Sequence, residues 1–330
     1  MKEVIYLKAT KQDFINVNTF YNTQYGGHRT LSYWEQAYEI NPMGKGMLFI
    51  AMINNLIVGI QGIIAYQFEN GTKLVTTYKS EDSLVDARHR GKGIFSSLYK
   101  MVHEAVGNKL VWGFTDKKSV FERVGMPAET DLEIHYSIHR NWITSLNPFK
   151  IDKRKLLLSY VWAKSILSLA TTKMYDNVEL KNSWTTEFSE FVRQHKMDRY
   201  EPLISKNILD WRAQVSEGGS IQFGVERNES NDIRRIAILS IRNQEATILT
   251  WFSEKKVSPC KESISALKNI LAKHNIFSLN IWSLSQRSNS NIYSKSGFTF
   301  KRKGMQLVSN SAKSDLKVND ISISALLSMA

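Results

Sequence analysis

The stretch LVDARHRGKGIFSSLYKMVHEA, residues 84–105, decides the fold, because it reads as a strand, a glycine-rich turn and a helix. Apolar residues recur at helical spacing on one face of that helix: Ile94, Leu98, Val102 and Ala105. Gly91 and Gly93 let the backbone approach a bulky anion, and free N–H groups at a helix start point toward such a ligand. Basic side chains add positive charge beside the turn: Arg88, Arg90 and Lys92. The sequence therefore predicts a phosphate or pyrophosphate site here.

Two common phosphate loops do not fit this stretch. The Gly-Lys-Ser/Thr ending of a P-loop is missing, and the glycine spacing excludes a dinucleotide fingerprint. The residues instead resemble the acetyl-CoA loop of the GNAT acyltransferase superfamily, whose pattern is Arg/Gln-x-x-Gly-x-Gly/Ala after a strand. In the register that matches the flanking residues best, Arg90 takes the first position and Gly93 the invariant glycine. Phe95 then stands where the superfamily has a small residue, whereas a register that begins at Arg88 fits the whole pattern.

The resemblance implies that acetyl-CoA, or another acyl-CoA, is the co-substrate, with its pyrophosphate on the turn and its pantetheine along the preceding strand edge. The residues that it assigns to this binding are Leu84, Val85, Arg90, Gly91, Lys92, Gly93, Ile94, Phe95 and Ser96. It also implies direct transfer of the acyl group, within one ternary complex, to the amine of a small or medium acceptor. Tandem proteins with an RGKGIF-type loop resemble ones linked to surface-polysaccharide synthesis, which suggests an amino sugar as the acceptor.

Strand-like and helix-like periods alternate around the loop. Strands are predicted over 3–8, 47–53, 56–68, 73–85, 109–115 and 132–139. Helices are predicted over 12–22, 31–40, 94–105 and 117–124. This order of elements predicts the α/β class. The resemblance to the superfamily implies a mixed, mostly antiparallel and strongly twisted sheet flanked by helices.

The second half of the chain repeats that order. SYWEQ around Trp34 recurs as LDWRA around Trp211, 177 positions later, and FERVGM at 121–126 recurs as YSKSGF at 293–298, 172 positions later. Because a chance match between two short motifs would not preserve the offset, we predict a tandem duplication. The predicted divisions are a domain with the loop at 1–145, a basic helical linker at 146–175, a degenerate GNAT-like domain at 176–310 and a tail at 311–330.

Composition narrows the class of protein further. The 330 residues carry 44 Lys and Arg against 31 Asp and Glu, and the resulting charge of +13 attracts an anionic partner. A phosphorylated co-substrate, nucleic acid and an acidic membrane would all qualify. A single cysteine, Cys260, excludes an intrachain disulfide framework and a multi-cysteine metal site. The start lacks the apolar core of a signal peptide, and no apolar run is long enough to span a membrane, so we expect a cytoplasmic protein.

The segment 150–173 has two interpretations. Its apolar run is interrupted by Lys164 and flanked by basic residues: Lys150, Lys153, Arg154, Lys155 and Lys173. One interpretation is a connecting helix that packs across both domains. The other is a basic amphipathic segment on an anionic membrane surface, which would make the protein membrane-peripheral. The sequence predicts no particular oligomeric state.

A general base for the acceptor amine has candidates on two predicted strands. Glu81 and Asp82 lie just upstream of the loop on the same strand. Glu133 and His135 share one face of the late strand, because side chains alternate along a strand. An amine that is already partly neutral needs only a water chain, so a mechanism without a single base also stays open.

The usual general acid is missing from the half that carries the loop. The superfamily often uses the tyrosine of Tyr-x-x-x-Gly-Phe to protonate the thiolate, but the first half has Phe121 there. The second half has Tyr293, yet its loop SEKKVSPCKES contains no glycine and Pro259 lacks an N–H. We therefore interpret the first half as the one that binds CoA. The histidines are scattered without metal-ligand spacing, so no metal is predicted.

Three functions remain open from the sequence. The first is an acyl-CoA-dependent N-acyltransferase, with acetyl transfer as the leading case. The second is an aminoacyl-tRNA-dependent transferase of the related tandem type, which would explain the charge but needs no acetyl-CoA loop. The third is a non-catalytic protein that binds CoA or an anionic surface, which Phe95 and Phe121 favour. Because the chain keeps the loop, the sequence favours the first, with acyl-CoA and an amine as partners and tRNA only as the runner-up.

Overall fold

The structure, a computed structural model, describes residues 3–138, 178–195, 200–216, 219–254, 261–284 and 300–322, together with 293, 294, 296 and 298. It contains two compact units. The first consists of Met1–Thr130, Arg199–Glu217 and Met305–Ser322, and the second of Asp131–Asp198, Gly218–Gly304 and Ile323–Ala330. The predicted linker at 146–175, with the basic segment 150–173, and the loop residues 255–260 lie outside the described residues.

The strands and helices confirm the predicted α/β class. The strands are β1 (Ile5–Lys8), β2 (Met47–Ile53), β3 (Leu56–Asn70), β4 (Lys73–Val85), β5 (Val111–Thr115), β6 (Ala128–Ile138), β7 (Val178–Lys181), β8 (Glu201–Pro202), β9 (Ser220–Arg227), β10 (Ile233–Arg242), β11 (Glu245–Ser253), β12 (Ser278–Leu284) and β13 (Phe300–Ser309). The helices are α1 (Phe14–Tyr25), α2 (Leu31–Tyr38), α3 (Ile94–Val106), α4 (Lys118–Glu122), α5 (Thr186–Gln194), α6 (Lys206–Val215) and α7 (Lys261–Lys273).

The sheet of the first unit has the order β1-β2-β3-β4-β5-β13. Neighbouring strands are antiparallel except β4 and β5, which are parallel. Helix α3 packs on β2, β3 and β4, and Leu98 and Val102 on its predicted apolar face are fully buried. Gly59 on β3 permits the close approach, because a Cβ there would lie 2.9 Å from Ile94 Cγ2. The loop before α3 is therefore fixed on a packed core.

The sheet of the second unit has the order β7-β9-β10-β11-β12-β6, in which residues 131–138 of β6 take part. Its neighbouring strands are antiparallel except β11 and β12, which are parallel. Helix α7 buries Ile264, Leu267 and Leu271, as its apolar periodicity predicts. In the second unit, the bulged strand β11 is followed by helix α7 and then by β12, which is parallel to β11. The first unit has the same order in β4, α3 and β5.

Two segments of the second half of the chain belong to the first unit. Helix α6 packs on α2, and the indole Nε1 of Trp211 donates to the carbonyl oxygen of Gln36 at 2.7 Å. The end of β13 pairs with β5, with Gln306 opposite Thr115. The units therefore differ from the contiguous ranges 1–145 and 176–310. The physical reason is that α6 covers the apolar surface of α2, while β13 supplies a partner for the edge of β5.

Candidate active site

Strand β4 carries a bulge just before the loop. Ile60 pairs with Leu84 and Gly62 pairs with Glu81, so β4 contains one more residue than β3 between these two pairs. The bulge contains Asp82, whose φ of 54° lies in the left-handed region that non-glycine residues seldom adopt. A bulge of this kind changes which residues of the strand face each neighbour.

Strands β4 and β5 part immediately before the bulge. Their only paired positions are Tyr78 with Val111 and Lys79 with Trp112. The backbone N–H of Asp86 donates to the carbonyl oxygen of Val58 at 2.9 Å, so Asp86 faces β3. Because alternate residues of a strand face alternate edges, Val85 faces away from β3. In the described part of the chain, residues 80–85 have no strand partner on this edge, which leaves it available to an extended ligand.

The turn after β4 forms a cradle of backbone N–H groups at residues 91–96. Gly91 and Gly93 have φ angles of 77° and 80°, and Gly93 is the residue that caps α3. No atom lies within 4 Å of the position of a Cβ at either glycine. Within the described ranges, the N–H groups of residues 91–96 have no hydrogen-bond acceptor, and the first helical bond runs from Ser97 N to Gly93 O. Such a row of free donors at a helix start binds anions.

The basic side chains around the cradle have different roles. Arg88 donates to the carboxylate of Asp86, with Nη2 to Oδ2 at 2.7 Å, although its side chain is 81% exposed. Arg90 donates from Nε to the carbonyl oxygen of Val85 at 3.1 Å. In the part of the chain that the structure describes, Arg90 and Lys92 form no ion pair, so their charge is available to an anion at the cradle.

Phe95 does not enter the cradle. Its ring centroid lies 4.8 Å from that of Tyr99 and 5.5 Å from that of Phe121. Phe95 is partly buried against the core cluster that includes both of these rings. Phe121 is only 8% exposed and has the position predicted for a general acid, but its ring is part of the core. The departure at Phe95 therefore leaves the anion site open.

Asp82 lies at the centre of a buried network rather than in an open position. Arg29 donates from Nη1 to Oδ1, and the hydroxyls of Tyr33 and Tyr38 donate to Oδ2 at 2.9 and 2.6 Å. The Asp82 side chain is 1% exposed. The Arg29 guanidinium lies 3.9 Å from the ring centroid of Tyr33 and 4.5 Å from that of Tyr21. With three donors on its oxygens and its side chain almost completely buried, this carboxylate is out of reach of a substrate amine.

Glu81, the other carboxylate predicted on β4, is more accessible. Its side chain is 19% exposed and forms an ion pair with Lys79, whose side chain is 4% exposed. Burial lowers the pKa of Lys79, and the neighbouring Glu81 charge opposes that shift. Of the two carboxylates, Glu81 is therefore the one that solvent or a substrate can reach.

Glu133 and His135 lie in the second unit, on β6, whereas the cradle belongs to the first unit. His135 Nε2 is 3.1 Å from Ser283 Oγ and 3.7 Å from Glu133 Oε2, and both side chains are buried. The ring of Tyr293 lies 4.9 Å from that of His135, and burial raises the pKa of Tyr293 to about 12. These residues form a buried cluster of the second unit.

The contacts around Asp82 were not foreseen from the sequence. Arg29, Tyr33 and Tyr38 lie 53, 49 and 44 positions before it, so no short motif contains them. A second cluster of buried polar side chains lies where β4 and β5 separate. The hydroxyls of Ser80 and Tyr99 are hydrogen-bonded to each other, and the Gln61 amide donates to Ser80 Oγ at 3.1 Å.

The described residues also bear on two other kinds of site, a metal centre and a membrane span. No group of three or more His, Cys, Asp or Glu side chains in these ranges is arranged to hold a metal ion. Likewise, the described part contains no helix of the length and apolar character needed to cross a membrane.

Several solved structures are similar to this chain in fold. A conserved protein of unknown function from Enterococcus faecalis, for which N-acyltransferase activity is suggested, matches with a TM-score of 0.62 and 9% identity over 93% of this chain and 72% of that one. A GCN5-related N-acetyltransferase from Anabaena variabilis matches with a TM-score of 0.57 and 9% identity over 93% and 72%. N-myristoyltransferase from Saccharomyces cerevisiae, solved with myristoyl-CoA, matches with a TM-score of 0.58 and 10% identity over 94% and 79%.

These likenesses show that the chain has the fold of the GCN5-related N-acetyltransferases and of N-myristoyltransferase. No protein-family model matches the sequence. No curated protein matches it either.

Proposed function

We propose that this protein is an acyl-CoA-dependent N-acyltransferase whose first unit binds the acyl-CoA. The observation that carries the proposal is the free row of N–H groups at residues 91–96, directly after the unpaired edge of β4. A pyrophosphate on this row would leave the pantetheine next to Val85, whose backbone faces the open edge. The bound myristoyl-CoA of one structural neighbour supports an acyl-CoA as the co-substrate.

The reaction that fits the site is direct transfer to an amine. Glu81 accepts a proton from the attacking amine, a C–N bond forms to the thioester carbonyl, and the C–S bond breaks. The electron pair of that bond leaves with CoA as a thiolate. A thiol has an ordinary pKa of about 8.5, so a thiolate can leave near neutral pH without a placed acid. Phe121 is therefore compatible with turnover, and holding both reactants in one cleft supplies much of the rate.

We further propose a short acyl group and an amino-sugar acceptor. The packing where β4 and β5 part supports a short chain, because a Cβ at Gly113 would lie only 3.1 Å from that of Ser80. The fully buried ring of Tyr99 lies under the same place. Acetyl-CoA should therefore be turned over faster than myristoyl-CoA. A panel of amino sugars, amino acids and polyamines, with free thiol as the readout, would test the acceptor.

We also propose that the two units are a tandem repeat and that 150–173 contacts membranes peripherally. The shared order of bulged strand, helix and parallel strand supports the repeat. The basic residues of the segment support membrane contact, which liposome flotation would test. Changing Lys153, Arg154 and Lys155 to glutamate should abolish flotation on anionic vesicles.

Calorimetric titration with acetyl-CoA and with CoA tests the proposed function. Gly93→Asp puts a side chain and a negative charge into the cradle, and we expect it to abolish binding. Gly71→Asp is the matched control, since Gly71 also has a positive φ, of 58°, with no atom within 4 Å of a Cβ, but lies at the far end of β4. Gly71→Asp should bind like the wild type. No heat with millimolar acetyl-CoA, or equal loss in both variants, would contradict the proposal.

Two further outcomes would redirect the assignment. If charged tRNA binds with a steep dependence on salt while acetyl-CoA does not, the aminoacyl-tRNA-dependent function gains. If acetyl-CoA binds but no amine in the panel releases thiol, the protein is a CoA-binding module without transferase activity.

A further inference from the structure

We infer that Asp82 is a positioning residue, which fixes the edge of β4 and couples it to the α1–α2 hairpin. The inference rests on the proposed function, because the edge that Asp82 fixes is the one assigned to the pantetheine. It gives Asp82 a role different from that of a base. The role follows from three observations: the bulge, the network of donors and the origin of those donors.

The bulge decides which backbone groups face the open side. Before the bulge, the backbone N–H of Tyr78 donates to the carbonyl oxygen of Leu110 at 2.8 Å. The backbone groups of even-numbered residues in this part of β4 therefore face β5. Without an extra residue, Leu84 would also face outward and Val85 would face β3. After it, Asp86 faces β3 and Val85 faces outward, as the bond from Asp86 N to Val58 O requires. The bulge thus turns the N–H and C=O of Val85 toward the ligand side.

Asp82 is the residue that holds this bulge in place. A positive φ is unfavourable for aspartate unless surrounding contacts stabilise it. Here Arg29, Tyr33 and Tyr38 donate to the two carboxylate oxygens. The charge is paired by a guanidinium, and all three donors reach a side chain that is almost completely buried.

All three donors come from the hairpin of α1 and α2. Tyr33 and Tyr38 belong to α2, and Arg29 belongs to the turn between the helices. The backbone of Arg29 is itself fixed, since Asn22 donates to its carbonyl oxygen and accepts from its N–H, both at 2.9 Å. The Arg29 side chain remains 19% exposed, so a molecule on the hairpin can touch the network. A displacement of the hairpin would therefore reach the edge of β4 through Asp82.

The test compares local backbone protection with CoA affinity. Asp82→Asn is the informative variant, because asparagine tolerates a positive φ and still accepts from the tyrosines but loses the charge that pairs with Arg29. We expect at least tenfold faster hydrogen exchange of the amides at 83–86 and at least tenfold weaker binding of CoA. Tyr33→Phe, which removes one donor and keeps the ring, should show the same changes to a smaller extent.

Val17→Ala provides the matched control. It removes packing from the buried face of α1 and keeps Arg29, Tyr33 and Tyr38 as donors to Asp82, so it lowers global stability as a merely structural change would. Val17→Ala should leave the affinity for CoA unchanged. It should also leave unchanged the hydrogen exchange of the amides at 83–86, measured relative to the other amides of β4. If Asp82→Asn behaves like Val17→Ala in both measurements, the inference is wrong.

The two proposals can fail separately. If the wild type does not bind CoA, the proposed function fails, while the exchange measurement still decides whether Asp82 fixes the edge. If the wild type binds CoA and neither Asp82→Asn nor Tyr33→Phe alters exchange or affinity, only the positioning role fails. Should Asp82→Asn not fold, Tyr33→Phe decides the question by the same two measurements.

Discussion

Among single residues, Asp86 has the clearest effect of charge on the turn that leads into α3. Its carboxylate caps the short 3-10 turn Ala87–His89 by accepting from Arg88 N at 2.9 Å, and it also accepts from the Arg88 guanidinium. The side-chain hydrogen bond from Arg88, with the backbone bond beside it, lowers the pKa of Asp86 to about 2. Because this value lies below the ordinary pKa of about 3.9, the charged form stabilises the fold.

Asp86→Asn removes the charge that pairs with Arg88, so it should lower the free energy of unfolding at neutral pH. The loss should be only about 1 kcal/mol, because Arg88 is exposed and solvent screens the pair. The stabilisation by Asp86 is complete above its ordinary pKa and is lost as the pH falls toward 2, so the deficit should shrink between about pH 4 and about pH 2. Urea unfolding of both proteins across that range measures it. A deficit that stays constant down to the lowest pH would contradict the prediction.

Glu81 is the residue whose replacement should affect turnover without affecting CoA binding. Glu81→Gln removes the proposed proton acceptor, and a general base contributes roughly 10²- to 10⁴-fold to a rate. We expect kcat to fall within that range while calorimetry gives an unchanged affinity for CoA. Glu35→Gln, on the surface side of α2, is the control and should keep full activity. A Glu81→Gln protein with wild-type kcat would show that water alone removes the proton.

What could be predicted at the residue scale depends on distance along the chain. The cradle is local, so Gly91, Gly93 and Arg90 could be read from one stretch of sequence. The partners of Asp82 lie on α2 and in the turn before it, far from Asp82 along the chain. An aspartate in a strand pattern gives no sign of a positive φ. The sequence therefore indicated both carboxylates of β4 as candidate bases but could not tell the buried one from the accessible one.

At the scale of helices and strands, the packing of α3 on β3 holds the cradle in place. Gly59→Ala would put a methyl group 2.9 Å from Ile94 Cγ2 and 3.4 Å from Leu98 Cδ1. We expect a loss of about 1–3 kcal/mol in the free energy of unfolding, because added volume in a packed core forces side chains and backbone to shift. Chemical denaturation measures the loss.

Gly27→Ala is the matched control for this change. The nearest atoms to a Cβ at Gly27 are 3.9 and 4.0 Å away, which is ordinary contact. Its free energy of unfolding should stay close to that of the wild type or rise slightly, since alanine restricts the unfolded chain. Equal losses in both variants would show that the approach of α3 to β3 does not require a glycine at position 59.

Periodicity predicted most elements of the first unit with small errors at their ends. The helix predicted over 31–40 ends at Tyr38, and the short helix predicted over 117–124 covers Lys118–Glu122. Period-two and period-3.6 patterns are local, so they reveal strands and helices but not the strand beside which each one lies. Neither the pairing of β13 with β5 nor the packing of α6 on α2 has a local signal.

At the scale of the whole molecule, the first unit is built from segments of both halves of the chain. Residues 1–130 are completed by Arg199–Glu217 and Met305–Ser322, which come from the second half of the chain. Asn310 accepts a hydrogen bond from Val111 N at 2.8 Å through its side chain, and Ser309 pairs with Trp112. Helix α6 buries Trp211 against α2. A chain cut between the predicted domains would lose these contacts from the unit that contains the cradle.

We therefore expect the fragment 1–145 not to fold by itself. Without β13 the edge of β5 would be unpaired, and without α6 the apolar face of α2 would lie in water, which costs about 25 cal/mol per Å² of apolar surface. The fragment should show no cooperative urea transition and no heat with acetyl-CoA, whereas the full chain shows both. Supplying 176–330 as a second fragment should restore acetyl-CoA binding in part, because the missing segments lie within it. A fragment 1–145 that unfolds cooperatively and binds acetyl-CoA as the full chain does would mean that the exchanged segments are accessory to the first unit.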